Sequence, residues 1–283
     1  MSGYGIGTLD VLIRNIETKM KINDPYNDNL YLKKFKEFLE CMRCKYGNIP
    51  TVALYSLMES SNNRKFNYID IERKKIAEHF ENIERLKTNS KKYYLISVEY
   101  HKYRNGYPIL IIGAPDGLNF EGNMNNEARM YEIKTYNLMY SYTIYRSNEG
   151  FIKKVLDMVN TTSKQLILYQ YLLKNTAKLG LIEEPDNTES HGIISFYSKN
   201  IRDVYSAKRI IKQNFNRIAE DANEYNAYNL SLKEEEKTYM DGEILYYFKI
   251  IFKVRYDEDV VENHLNNLDK LLKSLKSVDN RNL

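Results

Sequence analysis

Two short segments decide the fold of this chain: Gly113–Leu118, with the sequence GAPDGL, and Tyr131–Thr135, with the sequence YEIKT. Apolar and β-branched residues stand beside both segments, and glycine and asparagine residues between them indicate a turn. We therefore predict neighbouring strands of one sheet over Pro108–Leu118 and Ala128–Tyr136.

Three charged side chains of these strands are predicted to meet. Residues two apart in a strand point to the same face, so Glu132 and Lys134 lie together while Ile133 points away. If Asp116 lies on the adjacent strand, two carboxylates and one ammonium group converge. Two carboxylates, completed by water ligands, form a site that suits Mg²⁺ or Mn²⁺. Such an ion activates a water molecule for attack on a phosphodiester. For the E-x-K pattern alone, a solvated hairpin with an exposed ion pair is the alternative.

A predicted helix with a Gln-x-x-x-Tyr pattern follows these strands. Apolar residues in Ser163–Leu173 repeat with a helical period. Gln165 and Tyr169 are four positions apart, which places both on one face of the helix. Lys164 adjoins Gln165 and is our candidate for a phosphate contact. An ordinary amphipathic helix with a tyrosine in the core is the alternative interpretation.

The order of these patterns resembles the PD-(D/E)XK nuclease superfamily, in particular its RecB-like branch, which includes RecB and AddB nuclease domains and CRISPR-adaptation nucleases. The resemblance implies a restriction-endonuclease-like α/β core, with a central mixed sheet flanked by helices. It also implies that Asp116, Glu132 and the Ile133 carbonyl bind Mg²⁺ or Mn²⁺. Lys134 would position the attacking water or stabilise the transition state, and Gln165 and Tyr169 would face the active site.

Two upstream residues are candidates to complete the metal environment. Glu99 closes the predicted strand Tyr93–Tyr100, where this family often carries a glutamate. His79 lies in the predicted helix Ile71–Leu86, where the family often has a histidine or glutamate. A surface histidine on a charged helix is the alternative for His79. Three further acids of this helix are alternatives for the site acid, namely Glu78, Glu81 and Glu84.

The chain is predicted to divide at the polar segment Ser60–Arg64. We expect an N-terminal helical cap over residues 1–61 and a RecB-like nuclease core over residues 65–276, with a helical insertion near 204–228. The cap helices are predicted over Leu9–Met20, Leu30–Tyr46 and Val52–Met58. After the Gln-x-x-x-Tyr helix we predict the strands His191–Tyr197 and Glu243–Val254 and a closing helix, Val260–Leu275.

Composition limits the class of protein. With 42 basic and 38 acidic residues the net charge is +4, which is mildly basic and compatible with nucleic acid. An apolar run long enough for a bilayer and a signal-peptide pattern are both missing from the sequence, so we expect no membrane partner. We expect an intracellular protein, cytoplasmic or, in a eukaryotic host, nuclear. The 26 tyrosines, the frequent Asn, Ile and Lys and the lack of tryptophan are typical of an AT-rich genome, such as that of a virus, a phage, a mobile element or an AT-rich microbe.

The two cysteines, Cys41 and Cys44, are too few for a disulfide framework or for the four-cysteine iron–sulfur cluster of the CRISPR-adaptation nucleases. Two reduced cysteines on a helix are the simplest interpretation. A site shared between two chains, or one built from two Cys and two His, stays open as an alternative.

The leading functional expectation is a metal-dependent DNA nuclease, an exonuclease or end-processing enzyme acting on single strands or duplex ends. RNA is the second candidate substrate, since viral cap-snatching endonucleases also combine a helical histidine, a P-D and an (E/D)-x-K. A third hypothesis is a catalytically idle module that binds nucleic acid or supports assembly.

Overall fold

The computed structural model describes residues 6–22, 24–54, 68–100, 108–121, 126–140 and 147–279. Within these ranges seven α-helices flank two mixed β-sheets, which confirms the predicted α/β class with mixed sheet and flanking helices. None of the helices in these ranges is long and apolar enough to cross a bilayer. The predicted linker Ser60–Arg64 lies outside the described residues.

The first sheet has four strands and unites the N-terminal region with the centre of the chain. Its spatial order is β1-β2-β4-β3, with β2 and β4 parallel and the other two pairs antiparallel. The strands are β1 (Ile6–Thr8), β2 (Pro50–Ala53), β3 (Leu95–Tyr100) and β4 (Pro108–Gly113).

The strand β2 corrects one prediction from the sequence. A helix was expected over Val52–Met58, but Val52 is paired with Ile6 on one side and with Ile111 on the other. Val52 is completely buried there. A short apolar run is compatible with either type of element, and pairing with two strands distant in sequence decides between them. Residues 55–58 of the predicted helix lie outside the described ranges.

The second sheet has six strands in the order β5-β6-β7-β10-β8, and β9 pairs with the other half of β10. Only β6 and β7 are parallel among its pairs within the described residues. The strands are β5 (Gly117–Glu121), β6 (Glu127–Asn137), β7 (Asn187–Ser198), β8 (Ala227–Leu232), β9 (Glu236–Met240) and β10 (Glu243–Val254).

The predicted strand Pro108–Leu118 is divided between the two sheets. Strand β4 ends at Gly113 in the first sheet, and β5 begins at Gly117 in the second. Pro115 lies in the break, and proline has no N–H with which to continue a ladder. Asp116 is therefore the last residue before the chain enters the second sheet.

The helices agree with the predicted ones in position and are mostly longer, because the periodic core of a helix is easier to recognise than its ends. They are α1 (Leu9–Lys21), α2 (Asn29–Tyr46), α3 (Tyr68–Thr88), α4 (Asn148–Lys178), α5 (Ile201–Gln213), α6 (Phe215–Asn223) and α7 (Glu258–Asp279). The expected helical insertion near 204–228 corresponds to α5 and α6.

One large hydrophobic core connects the N-terminal helices with both sheets. Buried side chains of α1 and α2, such as Ile16 and Phe35, belong to the same cluster as Ile111 of β4 and Phe248 of β10. Helix α4 contributes many buried residues to this cluster, Leu172 among them. Helices α1 and α2 thus share a common core with the region that carries the candidate site.

Candidate active site

Asp116 and the main chain of β6 are joined directly. The Oδ2 atom of Asp116 accepts a hydrogen bond from the backbone N–H of Ile133 at 2.7 Å. In a strand the N–H and C=O of one residue point to the same edge. The Ile133 carbonyl therefore also faces the side on which Asp116 lies.

Glu132 and Lys134 share a face of β6, as the alternation of side chains requires. The Lys134 Nζ donates a hydrogen bond to Oε1 of Glu132 at 2.6 Å. Glu132 is buried, while about a third of the Lys134 side chain is exposed, 32%. The second oxygen of Glu132, Oε2, is buried and has no hydrogen-bond partner among the described residues. A buried carboxylate oxygen without a partner is costly unless a ligand completes it.

The electrostatics of the site couple these groups. Burial and the neighbouring charge of Glu132 raise the pKa of the Asp116 carboxyl to about 7. Burial alone would lower the pKa of Lys134, but the charges of Glu132 and Asp116 outweigh it and raise that pKa above its ordinary value. Lys134 therefore remains an ammonium ion at neutral pH.

Tyr169 of α4 lies within electrostatic reach of both carboxylates. Burial first, and then the negative charges of Glu132 and Asp116, raise the pKa of the Tyr169 hydroxyl well above its ordinary value, so it stays protonated. Gln165 lies one turn earlier on the same face, and its Oε1 atom is buried without a hydrogen-bond partner among the described residues. Lys164 is half-buried beside it.

Helix α3 adds a carboxylate and a cation to the site. Burial and the charge of Asp116 raise the pKa of Glu81, which places this carboxylate near the cluster. Arg85, one turn later, donates a hydrogen bond through Nη2 to Oε2 of Glu81 at 2.8 Å and another through Nε to the backbone oxygen of Asp116. Glu81 was one of three alternative acids in the sequence. The i,i+4 spacing of Glu81 and Arg85 was visible, but ordinary surface ion pairs have the same spacing.

His79 is not brought to this cluster. Its Nε2 atom is hydrogen-bonded to Oγ1 of Thr238 in β9 at 2.9 Å, and the charge of Asp241 acts on it. Residues two apart on a helix point to different sides, so His79 faces away from the direction taken by Glu81. The histidine expected to join the metal site thus lies beside β9.

Glu99 is also separate from the cluster. It accepts hydrogen bonds from the hydroxyls of Ser97 and Tyr171, and in the β3–β4 ladder it lies opposite Ile109. Ile109 is near the beginning of β4, whereas Asp116 follows the end of that strand. The expected contribution of Glu99 to the metal environment therefore has no support in this geometry.

The oxygen donors of the site fit a hard divalent cation. Within the described part of the chain, no three His, Cys, Asp or Glu side chains converge closely enough to form a complete ligand set. Asp116, Glu132 and the Ile133 carbonyl offer oxygens, and the unpartnered Oε2 of Glu132 is free to bind. This set suits Mg²⁺ or Mn²⁺ when water completes the coordination. Cys41 and Cys44 are free and exposed on α2.

Comparison of the chain with protein-family models, with curated proteins and with solved structures found no match.

Proposed function

We propose that this protein is a metal-dependent nuclease that hydrolyses phosphodiester bonds of DNA, in single strands or at duplex ends. The observation that supports it best is the direct bond from Ile133 N–H to Asp116, next to the Glu132–Lys134 pair on the same strand. The carboxyl groups of Asp116 and Glu132 and the ammonium group of Lys134 interact electrostatically, and the Ile133 carbonyl faces the same side of β6 as Asp116. An intracellular location, where nucleic acid is available, is part of this proposal.

Each residue has a defined part in the proposed reaction. Asp116, Glu132 and the Ile133 carbonyl would hold Mg²⁺ or Mn²⁺, which, when bound, polarises the phosphate and lowers the pKa of water. Lys134, held as an ammonium ion, orients the attacking water or balances charge that develops on the phosphate. Tyr169, held as a phenol, can donate a hydrogen bond to a phosphate oxygen.

The charge of the cluster favours an anionic substrate once a metal is bound. Three carboxylates, those of Asp116, Glu132 and Glu81, face two cations, Lys134 and Arg85. With every group ionised this leaves one negative charge, which attracts a divalent cation. The loaded site then has one positive charge, which complements the single negative charge of a phosphodiester.

Degradation of end-labelled single- and double-stranded DNA in Mn²⁺, Mg²⁺ or EDTA tests the proposal. We expect cleavage that depends on metal and disappears in the isosteric variants Asp116→Asn and Glu132→Gln. Asp221→Asn, at an exposed ion pair with Arg217, is the matched control and should cut normally. Cleavage that persists in both site variants would refute the assignment. Faster cleavage of RNA of the same sequence would favour the cap-snatching alternative, for which the position of His79 gives no support.

Calorimetry with Mn²⁺ separates an enzyme from a binding module. Binding of Mn²⁺ that is lost in Asp116→Asn supports the nuclease, whereas DNA binding without any metal binding supports the idle module.

The surface along which DNA binds can be tested by the salt dependence of DNA affinity, measured in the Asp116→Asn background with Ca²⁺. If Lys164 contacts phosphate, Lys164→Ala should lower the slope by about one unit, while Lys178→Ala at the far end of α4 should not.

A further inference from the structure

Arg85 is a buried cation that the proposed reaction does not use. Only 3% of its side chain is exposed. Its guanidinium donates to the Glu81 carboxylate, to Oδ1 of Asn82 at 2.9 Å and to the backbone oxygen of Asp116. The first two partners belong to its own helix, but Asp116 lies on the segment between the two sheets. Arg85 thus ties α3 to the main chain of a metal-binding residue.

An aromatic ring from the N-terminal region covers this guanidinium. The Cζ atom of Arg85 lies 5.6 Å from the centroid of the Tyr26 ring, within the range of a cation–π contact. The Tyr26 carbonyl accepts a hydrogen bond from the Lys92 N–H at 2.8 Å, which fixes the main chain at Tyr26. Water therefore has little access to Arg85, and its fixed donors keep their directions.

Glu81 is the carboxylate with which Arg85 is paired. It is paired with the guanidinium at 2.8 Å and lies close enough to Asp116 for the two charges to interact. If Glu81 turned to a metal ion, the buried guanidinium would lose its carboxylate partner. A buried charge without its partner is strongly unfavourable, which opposes such a movement.

We propose that Arg85 is a positioning residue that keeps Glu81 out of metal coordination and fixes the main chain of Asp116, so that the site holds one divalent cation on Asp116 and Glu132. This inference depends on the proposed function for its metal ion.

Replacement of Arg85 by methionine should change metal binding and turnover in opposite directions. Loss of the positive charge releases Glu81, so Mn²⁺ should bind roughly tenfold more tightly or a second ion should bind. Turnover should fall by about tenfold to a hundredfold, because the Asp116 main chain loses its anchor. A residue that served folding alone would lower both quantities or neither.

The experiment combines calorimetric titration with MnCl₂ and DNA cleavage rates for a set of variants. In wild-type protein we expect one bound ion. Arg85→Lys should retain the wild-type affinity, since its charge still pairs with Glu81, but should turn over more slowly. The double variant Glu81→Gln/Arg85→Met replaces an ion pair of zero net charge by two uncharged side chains. It should therefore bind one ion with nearly wild-type affinity. Arg217→Met, which breaks an exposed pair with Glu149, is the control and should change nothing.

Several results would overturn the inference. Two ions bound to wild-type protein, or a double variant that binds Mn²⁺ more than tenfold weaker, would make Glu81 a ligand. Suppose that wild-type protein binds metal and cuts DNA, but a folded Arg85→Met binds Mn²⁺ equally well or more weakly. The role of Arg85 would then be refuted, and the proposed function would stand. If Arg85→Met does not fold, Arg85→Lys decides, because wild-type turnover in that variant contradicts the role. Wild-type protein that binds no Mn²⁺ would refute both this inference and the proposed function.

Discussion

The ring of Tyr169 packs directly on the backbone of Gly113, at the end of β4. A Cβ atom at position 113 would lie 2.7 Å from Cε1 of Tyr169 and 2.9 Å from Cδ1 of Leu172. Real Cβ atoms do not approach other carbons so closely. The absence of a side chain at Gly113 therefore allows α4 to bring the Tyr169 hydroxyl near the segment that carries Asp116.

The variant Gly113→Ala should lower both stability and turnover. The added methyl group forces Tyr169 and Leu172 to move, and overpacking of this kind costs about 1–3 kcal/mol. Urea unfolding measures the first effect and DNA cleavage the second. Ala114→Ser, at the exposed next position, is the control and should change the free energy of unfolding by less than about 0.5 kcal/mol. Wild-type stability in Gly113→Ala would mean that the ring can move aside freely.

The variant Lys134→Met should reduce turnover by roughly a hundredfold to a thousandfold while Mn²⁺ binding is kept. The lysine is assigned to charge that develops during the reaction, and removal of one such group has effects of this size. Cleavage rates at saturating Mn²⁺ and calorimetry provide the two readouts. Lys199→Met, in an exposed pair with Glu243, is the control. Loss of metal binding with an unchanged rate at saturating Mn²⁺ would show that Lys134 serves the metal instead.

The buried ion pair between Lys249 of β10 and Glu84 of α3 should be costly to break. The two groups are 2.8 Å apart, and each side chain is only 5% exposed. Lys249→Met leaves Glu84 buried without its partner, and we expect a loss of about 3–5 kcal/mol in the free energy of unfolding. The double variant Lys249→Met/Glu84→Met should recover most of that loss in denaturant titrations. A loss below about 1 kcal/mol in the single variant would mean that water solvates Glu84.

The ionised Glu236 carboxylate should stabilise the fold, and this contribution should be lost in acid. Burial would raise the pKa of this carboxyl, but hydrogen bonds from Lys87 and Tyr247 outweigh it and lower the pKa to about 2. A lowered pKa stabilises the fold above the unfolded value, near 4.5, and this contribution disappears as the pH falls toward 2. Glu236→Gln should therefore be less stable than wild-type protein at pH 6, and the difference should shrink below pH 4.5. Thermal unfolding across this range measures it, and a constant difference would contradict the assignment.

The parts of the site that follow a local period could be predicted from the sequence. Alternation along β6 places Glu132 and Lys134 on one face, and the helical period places Gln165 and Tyr169 together on α4. The strand Glu243–Val254 was predicted with the bounds that the structure gives. In each of these segments the residues that decide the element are close together in sequence.

Other elements depend on partners that are distant in sequence. Strand β9 has the polar sequence EKTYM and forms by pairing with β10, and β2 forms between β1 and β4. The approach of Arg85 to Asp116 likewise depends on where α3 packs and has no local pattern. Such features require the assembled fold and cannot be recognised in a single segment.

The parallel pairing of β2 with β4 has a consequence for how the protein folds. The two strands are separated by helix α3 and strand β3, so closing the first sheet requires a long loop to form. During synthesis, β2 can pair with β1 at once, but its other edge stays unpaired until β4 has left the ribosome. Contacts between residues so far apart in sequence form slowly, and the unpaired backbone edge of β2 is available for pairing with other chains during that time. Misfolding during biosynthesis is therefore expected to begin in the N-terminal region, and slower translation between β2 and β4 should increase it.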